Sequence, residues 1–181
     1  DLSTFNILLK GISCRMEYIS PKQEEEKNKQ IKSLDKILNL MGKLSETSTQ
    51  SIKPNDVTIN TCIDILIKAG ETKRAWELFD TMETVYGVKP DKYSFSTIIK
   101  ALKYDPNPEK LEKAFGIIEQ IKTQITSNSN DEIIFNCLID VCVRLQLMDK
   151  AEKLFFDMKN LKIEATKVTY AIMIKGYGQV Y

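Results

Sequence analysis

The sequence predicts an all-α fold, an α-solenoid of stacked helix-turn-helix hairpins. Two observations predict it. A pattern recurs at a period of about 35 residues, the signature of a repeat architecture. Within each recurrence apolar residues fall at helical spacing on one face. The repeat is plainest when DVTINTCID, starting at Asp56, is laid over EIIFNCLID, starting at Glu132. The register holds downstream, where Ala75 to Met82 matches Ala151 to Met158. Further starts lie at Ser3, Tyr93 and Val168. The equivalent residues are Asn6, Asn60, Ser96, Asn136 and Ala171, spaced by 54, 36, 40 and 35. The repeats therefore divide as 2–55 with an insertion, 56–91, 92–131, 132–166 and a truncated 167–181.

The first unit begins with a helix from Ser3. It exceeds the period by 19 residues, and the surplus includes the charged stretch 20–29, expected to loop out as a solvated segment. Its second helix is expected over 30–44, with Leu34, Ile37, Leu38 and Met41 inward, followed by a polar linker over 45–51. The second unit is the clearest. Ile59, Cys62, Ile63 and Leu66 make one face of a helix over 57–69, which Gly70 ends. Ala75, Leu78, Phe79 and Met82 make the stripe of a second helix over 72–86, stopped by Gly87 and Pro90. Ala75 and Ala151, small residues on the contact face, let paired helices approach closely. In the third unit Asp105-Pro106-Asn107-Pro108 separates the helices, and Thr126 to Asn130 forms a second loop. The fourth unit repeats the second. The fifth holds a first helix only.

Composition excludes several functions. Without histidine there is no Ser-His-Asp or Cys-His pair and no His-ligated metal. No CxxC, acidic metal cluster or phosphate loop is present, so no cofactor is implied. Cys14, Cys62, Cys137 and Cys142 read as buried apolar residues of a reducing compartment. No apolar run is long enough to span a membrane. Lys and Arg number 26 against 25 Asp and Glu, a net charge of +1, which argues against a sequence-blind nucleic-acid binder. Of these cations only Arg15, Arg74 and Arg144 are arginine, a bias pointing to an AT-rich coding genome more than to function. A hydrophobic content of 43% suffices for a packed core.

The units resemble the pentatricopeptide repeat along the whole chain. The resemblance is carried by Val57-Thr58, Asn60-Thr61, Ile63-Asp64, Leu66, Lys68-Ala69-Gly70, Ala75, Leu78-Phe79, Met82 and Gly87-Val88-Lys89-Pro90-Asp91. It implies a right-handed superhelix whose first helices line the concave face. It also implies sequence-specific binding of single-stranded RNA, about one base per repeat. The implied base-reading pairs are Asn6 with Asn55, Asn60 with Asp91, Ser96 with Asp131 and Asn136 with Thr166; the partner of Ala171 lies beyond position 181. By the family's tendencies the pairs read pyrimidine-U-G-pyrimidine, 5′ to 3′. Asn offers a donor and an acceptor to a Watson–Crick edge, and Ser a hydroxyl. The same residue types cap helices and make turns. Ser3, Val57, Tyr93, Ile133 and Val168 fall at the base-sandwiching position, where Ser3 is a poor wedge. Lys68 and Arg144 fall at the phosphate position, which Cys14 and Tyr104 occupy in the first and third units.

Four such pairs, at about 1–3 kcal/mol of discrimination each, fall short of nanomolar binding after association costs. The chain is accordingly expected to be a window of a longer array, with no polar cap at either end. The resemblance implies a mitochondrial or other organellar setting, with RNA processing, stability or translation as the process and no enzymatic chemistry. The rival expectation is a structural scaffold within a ribonucleoprotein assembly, contacting proteins without reading bases. Neither membrane nor small-molecule partners are expected.

Overall fold

The computed structural model describes residues 1–20, 22–47, 52–121 and 129–180. Among these the chain forms ten helices and no strand, grouped into two compact units, Asp1–Ile98 and Ile99–Tyr181.

The first unit holds α1 (Leu2–Tyr18), α2 (Glu24–Thr47), α3 (Asp56–Ala69), α4 (Thr72–Tyr86) and all but the last residue of α5 (Lys92–Ile99). α3 packs against α1, α2 and α4. Its apolar face, Ile59, Cys62, Ile63 and Leu66, is buried as the periodicity requires. Each such side chain contributes about 1.5–3 kcal/mol by leaving water. Ala75 is fully buried on α4, so the absent bulk sets how closely α4 approaches. Next to it Trp76 meets Phe79 edge-on at 6.0 Å, and Phe79 meets Phe95 of α5 at 5.9 Å.

The insertion of the first unit is not a loop. α2 starts at Glu24, inside the stretch expected to loop out, and runs 24 residues. Glu24, Glu25 and Glu26 occupy its first turn, where the helix dipole favours negative charge. Gln23 accepts from the Ser20 N–H at 2.9 Å and closes the preceding turn. The charges read as a solvated loop are thus a helix N-terminus. The linker expected from Ser45 also begins late, since α2 continues to Thr47; positions 48–51 lie outside the described residues.

The second unit holds α6 (Ala101–Tyr104), α7 (Pro108–Ile121), α8 (Ser129–Arg144), α9 (Met148–Asn160) and α10 (Lys167–Val180). α8 packs against α6, α9 and α10. Ala114 and Ala151 are fully buried, equivalents of Ala75, and Ala114 escapes the sequence comparison because the Pro-rich loop shifts its register. Phe155 meets Tyr170 at 5.8 Å, the contact that Phe79 and Phe95 make in the other unit. Asn107 accepts from the backbone N–H of Glu109 and Lys110 at 2.9 and 3.3 Å, and Pro108 sits at the first helical position. Two expectations fail here. The first helix of the third unit breaks at Lys100, giving α5 and α6. The loop expected to reach Asn130 ends earlier, because α8 begins at Ser129; 126–128 lie outside the described residues.

The first helices of the second and fourth units end alike. Glu71 N–H donates to Leu66 C=O at 2.9 Å, and Leu147 N–H to Cys142 C=O at 2.8 Å. The residue between helices is left-handed in both, Gly70 at φ 87° and Gln146 at φ 58°. Glycine adopts this region without penalty, whereas a side chain costs about 1–2 kcal/mol. Gly70→Ala should therefore destabilise the protein by about 1 kcal/mol, and Gln146→Gly should stabilise it by a similar amount. Urea midpoints at constant m measure both, and equal signs for the two substitutions would refute the common origin.

Candidate nucleic-acid interface

The residues singled out by the repeat lie at the N-termini of the first helices. The N–H groups of a first helical turn have no partner within the helix and must find acceptors. Asp1 accepts from Thr4 N–H at 2.8 Å. Asn55 accepts from Thr58 N–H at 3.0 Å and donates its own N–H to Thr58 Oγ1 at 3.2 Å, a complete capping box. Asp91 and Ser94 form the same box at 2.8 and 3.2 Å. Thr166 donates its N–H to Thr169 Oγ1 at 3.1 Å. The closing residues Asn55 and Asp91 are thus the caps of the next first helices. The partner three residues on, Thr58, Ser94 or Thr169, is fully buried. These partners were missed in the sequence, although Ser or Thr three residues after Asp, Asn or Thr is itself a capping pattern.

The residue just before each partner carries the proposed wedge. Val57, Tyr93, Ile133 and Val168 are 51–68% exposed, which is unusual for such side chains standing at one repeated position. Ser3 is exposed as well.

Two residues beyond each partner stands the reading position. Asn6 Nδ2 donates to Asn55 Oδ1 at 3.4 Å, and Asn6 Oδ1 accepts the single hydroxyl hydrogen of Thr58 at 2.7 Å. This pair is brought together, with its polar atoms already engaged. Asn60 is half-buried, and its Oδ1 is buried with no hydrogen-bond partner. Asp91 is engaged as a cap. Ser96 is half-buried on α5. Asp131, expected to close a repeat ahead of its helix, lies inside the first turn of α8 and is fully buried. Glu132 bridges Asn136 and Thr166, accepting from Asn136 Nδ2 at 2.8 Å and from Thr166 Oγ1 at 2.5 Å. Ala171 is exposed on α10. Nothing in a single sequence marks Glu132, because the second unit has Asp56 at that register and no comparable bridge.

The two cations expected to meet phosphate both contact protein groups. Lys68 Nζ lies 2.7 Å from Asp64 Oδ2, 2.8 Å from Glu17 Oε1 and 3.0 Å from Ser13 Oγ. Arg144 Nε lies 3.0 Å from Asp140 Oδ2, and its Nη1 and Nη2 donate to the carbonyls of Lys103 and Leu102 at 2.9 and 3.2 Å. Lys68 thereby ties α3 to α1, and Arg144 ties α8 to α6. An Asp four residues earlier is common to both, a register the sequence displays at Asp64 and Asp140.

Burial pushes the Cys62 and Cys142 thiols up to about 12 and that of Cys137 up to about 11, so these three are unreactive at neutral pH. Cys14 departs from the expectation of burial and is exposed. Among the described residues no group of three His, Cys, Asp or Glu side chains is placed to hold a metal ion. No described helix is long and apolar enough to cross a membrane.

The model of the PPR repeat family matches residues 54–103 and 130–179. A chloroplastic pentatricopeptide repeat-containing protein of Arabidopsis thaliana is 25% identical over 177 residues, covering 97% of this chain and 20% of its own length. The small ribosomal subunit protein mL104 of Arabidopsis thaliana is 29% identical over 119 residues, 65% of this chain and 21% of its own. The mitochondrial 15S rRNA processing factor CCM1 of Kluyveromyces lactis is 23% identical over 145 residues, 74% of this chain and 16% of its own. The crystal structure of the pentatricopeptide repeat protein PPR10 from maize superposes with a TM-score of 0.68 at 16% identity, over 99% of this chain and 22% of that one. The chain therefore spans about a fifth of the proteins it is compared with.

The Lys68 cluster gives a signed pH dependence. Burial pulls the ammonium down, but hydrogen bonds to Asp64 and Glu17 and their charges outweigh it, and the Lys68 pKa stands above its ordinary 10.5. A raised pKa stabilises the fold fully below the unfolded value, and that stability fades as pH rises through the folded one. The stability difference between wild type and Lys68→Met should be about 1 kcal/mol near pH 8 and shrink above pH 10.5. Denaturation series at both pH values measure it, and a difference that grows with pH would contradict the assignment.

Proposed function

The chain belongs to the PPR repeat family, and on that basis we propose that it binds single-stranded RNA by reading about one base per repeat. The observation that carries the reading is the pair of Asn60 and Asn136 carbonyl oxygens. Both are buried without a hydrogen-bond partner at equivalent repeat positions, three residues beyond an exposed apolar side chain. A buried acceptor without a partner costs about 1–3 kcal/mol, which a base edge would recover on displacing the groups that cover it. Val57, Tyr93, Ile133 and Val168 are exposed where flanking bases would be gripped. The reading assigns Asn6 with Asn55, Asn60 with Asp91, Ser96 with Asp131 and Asn136 with Thr166 to pyrimidine, U, G and pyrimidine. The engaged state of Lys68 and Arg144 leaves phosphate attraction a minor contributor.

The names of two relatives, one chloroplastic and one a mitochondrial rRNA processing factor, support an organellar role in RNA metabolism. A second reading, a scaffold within a ribonucleoprotein, draws on the same engaged cations and on the ribosomal-subunit relative.

The full-length protein should bind RNA carrying 5′-CUGU more tightly than a scrambled sequence. Enrichment from a random single-stranded pool checks this, and its absence would leave the scaffold reading. Asp91→Asn separates capping from reading. Asn caps as well as Asp, so stability should change by less than about 0.5 kcal/mol, while the preference for uracil at the second base relaxes toward either pyrimidine. An unchanged preference would reduce Asp91 to a cap.

A further inference from the structure

We propose that Glu132 is a positioning residue that makes the fourth unit select uracil over cytosine. The inference rests on the reading of Asn136 as a base-facing residue. Asn136 is 8% exposed, and its amide nitrogen donates to Glu132 Oε1 at 2.8 Å. A carboxylate only accepts hydrogen bonds, so the nitrogen must face it. The flipped amide would set its carbonyl oxygen against the carboxylate. The orientation of Asn136 is therefore fixed, and the atom left open is Oδ1, buried and without a partner.

A fixed carbonyl has a defined preference. Uracil carries an N–H donor at N3, in the middle of its Watson–Crick edge. Cytosine carries a lone pair there. An Asn136 Oδ1 directed at that atom accepts from uracil and opposes cytosine. An amide free to flip would serve both.

The second unit has a carboxylate at its closing position, Asp91. The fourth has Thr166, which carries no charge. Glu132, one helical turn before Asn136 on α8, supplies the missing carboxylate from within the same helix. Thr166 keeps a part, since its hydroxyl donates to the same Glu132 oxygen at 2.5 Å and holds the carboxylate in place.

Anisotropy titrations of the full-length protein with RNAs differing only at the fourth base, 5′-CUGU and 5′-CUGC, test this. Wild type should prefer uracil by about tenfold. Glu132→Gln, isosteric and able to donate or accept, should bring the two within about twofold at an unchanged melting temperature. Adding Thr166→Asp should restore the preference. Thr166→Val, which leaves Glu132 less firmly held, should give an intermediate ratio and serves if Glu132→Gln folds poorly. A uracil preference that Asn136→Ala abolishes but Glu132→Gln and Thr166→Val leave intact would overturn the role of Glu132 alone. Wild type unable to tell 5′-CUGU from a scramble would overturn base reading and this inference together.

Discussion

The N-terminal turns of α1, α3 and α5 depend on an acceptor supplied from just outside each helix. Asp1, Asn55 or Asp91, immediately ahead of the helix, takes the N–H of the third helical residue, and at Asn55 and Asp91 the hydroxyl at that residue answers to complete a full box. This fixes where the helix starts. It therefore fixes which face its apolar residues present, since a shift of one position would rotate them by about 100°. The buried stripe of α3 and the edge-on contact of Phe79 with Phe95 follow from that start. The exposed side chain two places after the cap and the polar residue five places after it follow from it too.

Under the proposed reading, capping and recognition share residues. Asn55 and Asp91 cap helix ends through their side chains, and Thr166 meets the start of α10 through its backbone N–H. The same economy governs Lys68 and Arg144, which bind neighbouring helices through groups that the repeat places at a constant spacing.

Much of this was legible in the sequence. The period, the second-unit helices and the small residues Ala75 and Ala151 are encoded locally, and local patterns survive folding. The start of α2 was misjudged because a run of three glutamates suits solvent and suits a helix N-terminus equally well. Ser129 and Asn130 were misjudged as loop because Ser and Asn are turn formers as well as helix starters. The engagement of Lys68 and Arg144 was invisible where it involves another helix, as with Glu17 or the Leu102 carbonyl, since no local spacing announces it. Glu132 was invisible because its meaning depends on Thr166, 34 residues away.

The pairing of the cations bears on how fast any partner can arrive. Each of the three arginines faces a carboxylate, Arg15 with Glu26, Arg74 with Asp35 and Arg144 with Asp140, and Lys68 faces two. Fields from such pairs cancel within a few ångströms, so little long-range attraction guides a polyanion to the surface. A partner meeting a surface without steering would associate at about 10⁵–10⁶ M⁻¹s⁻¹. Discrimination between ligands would then rest on how long each one stays.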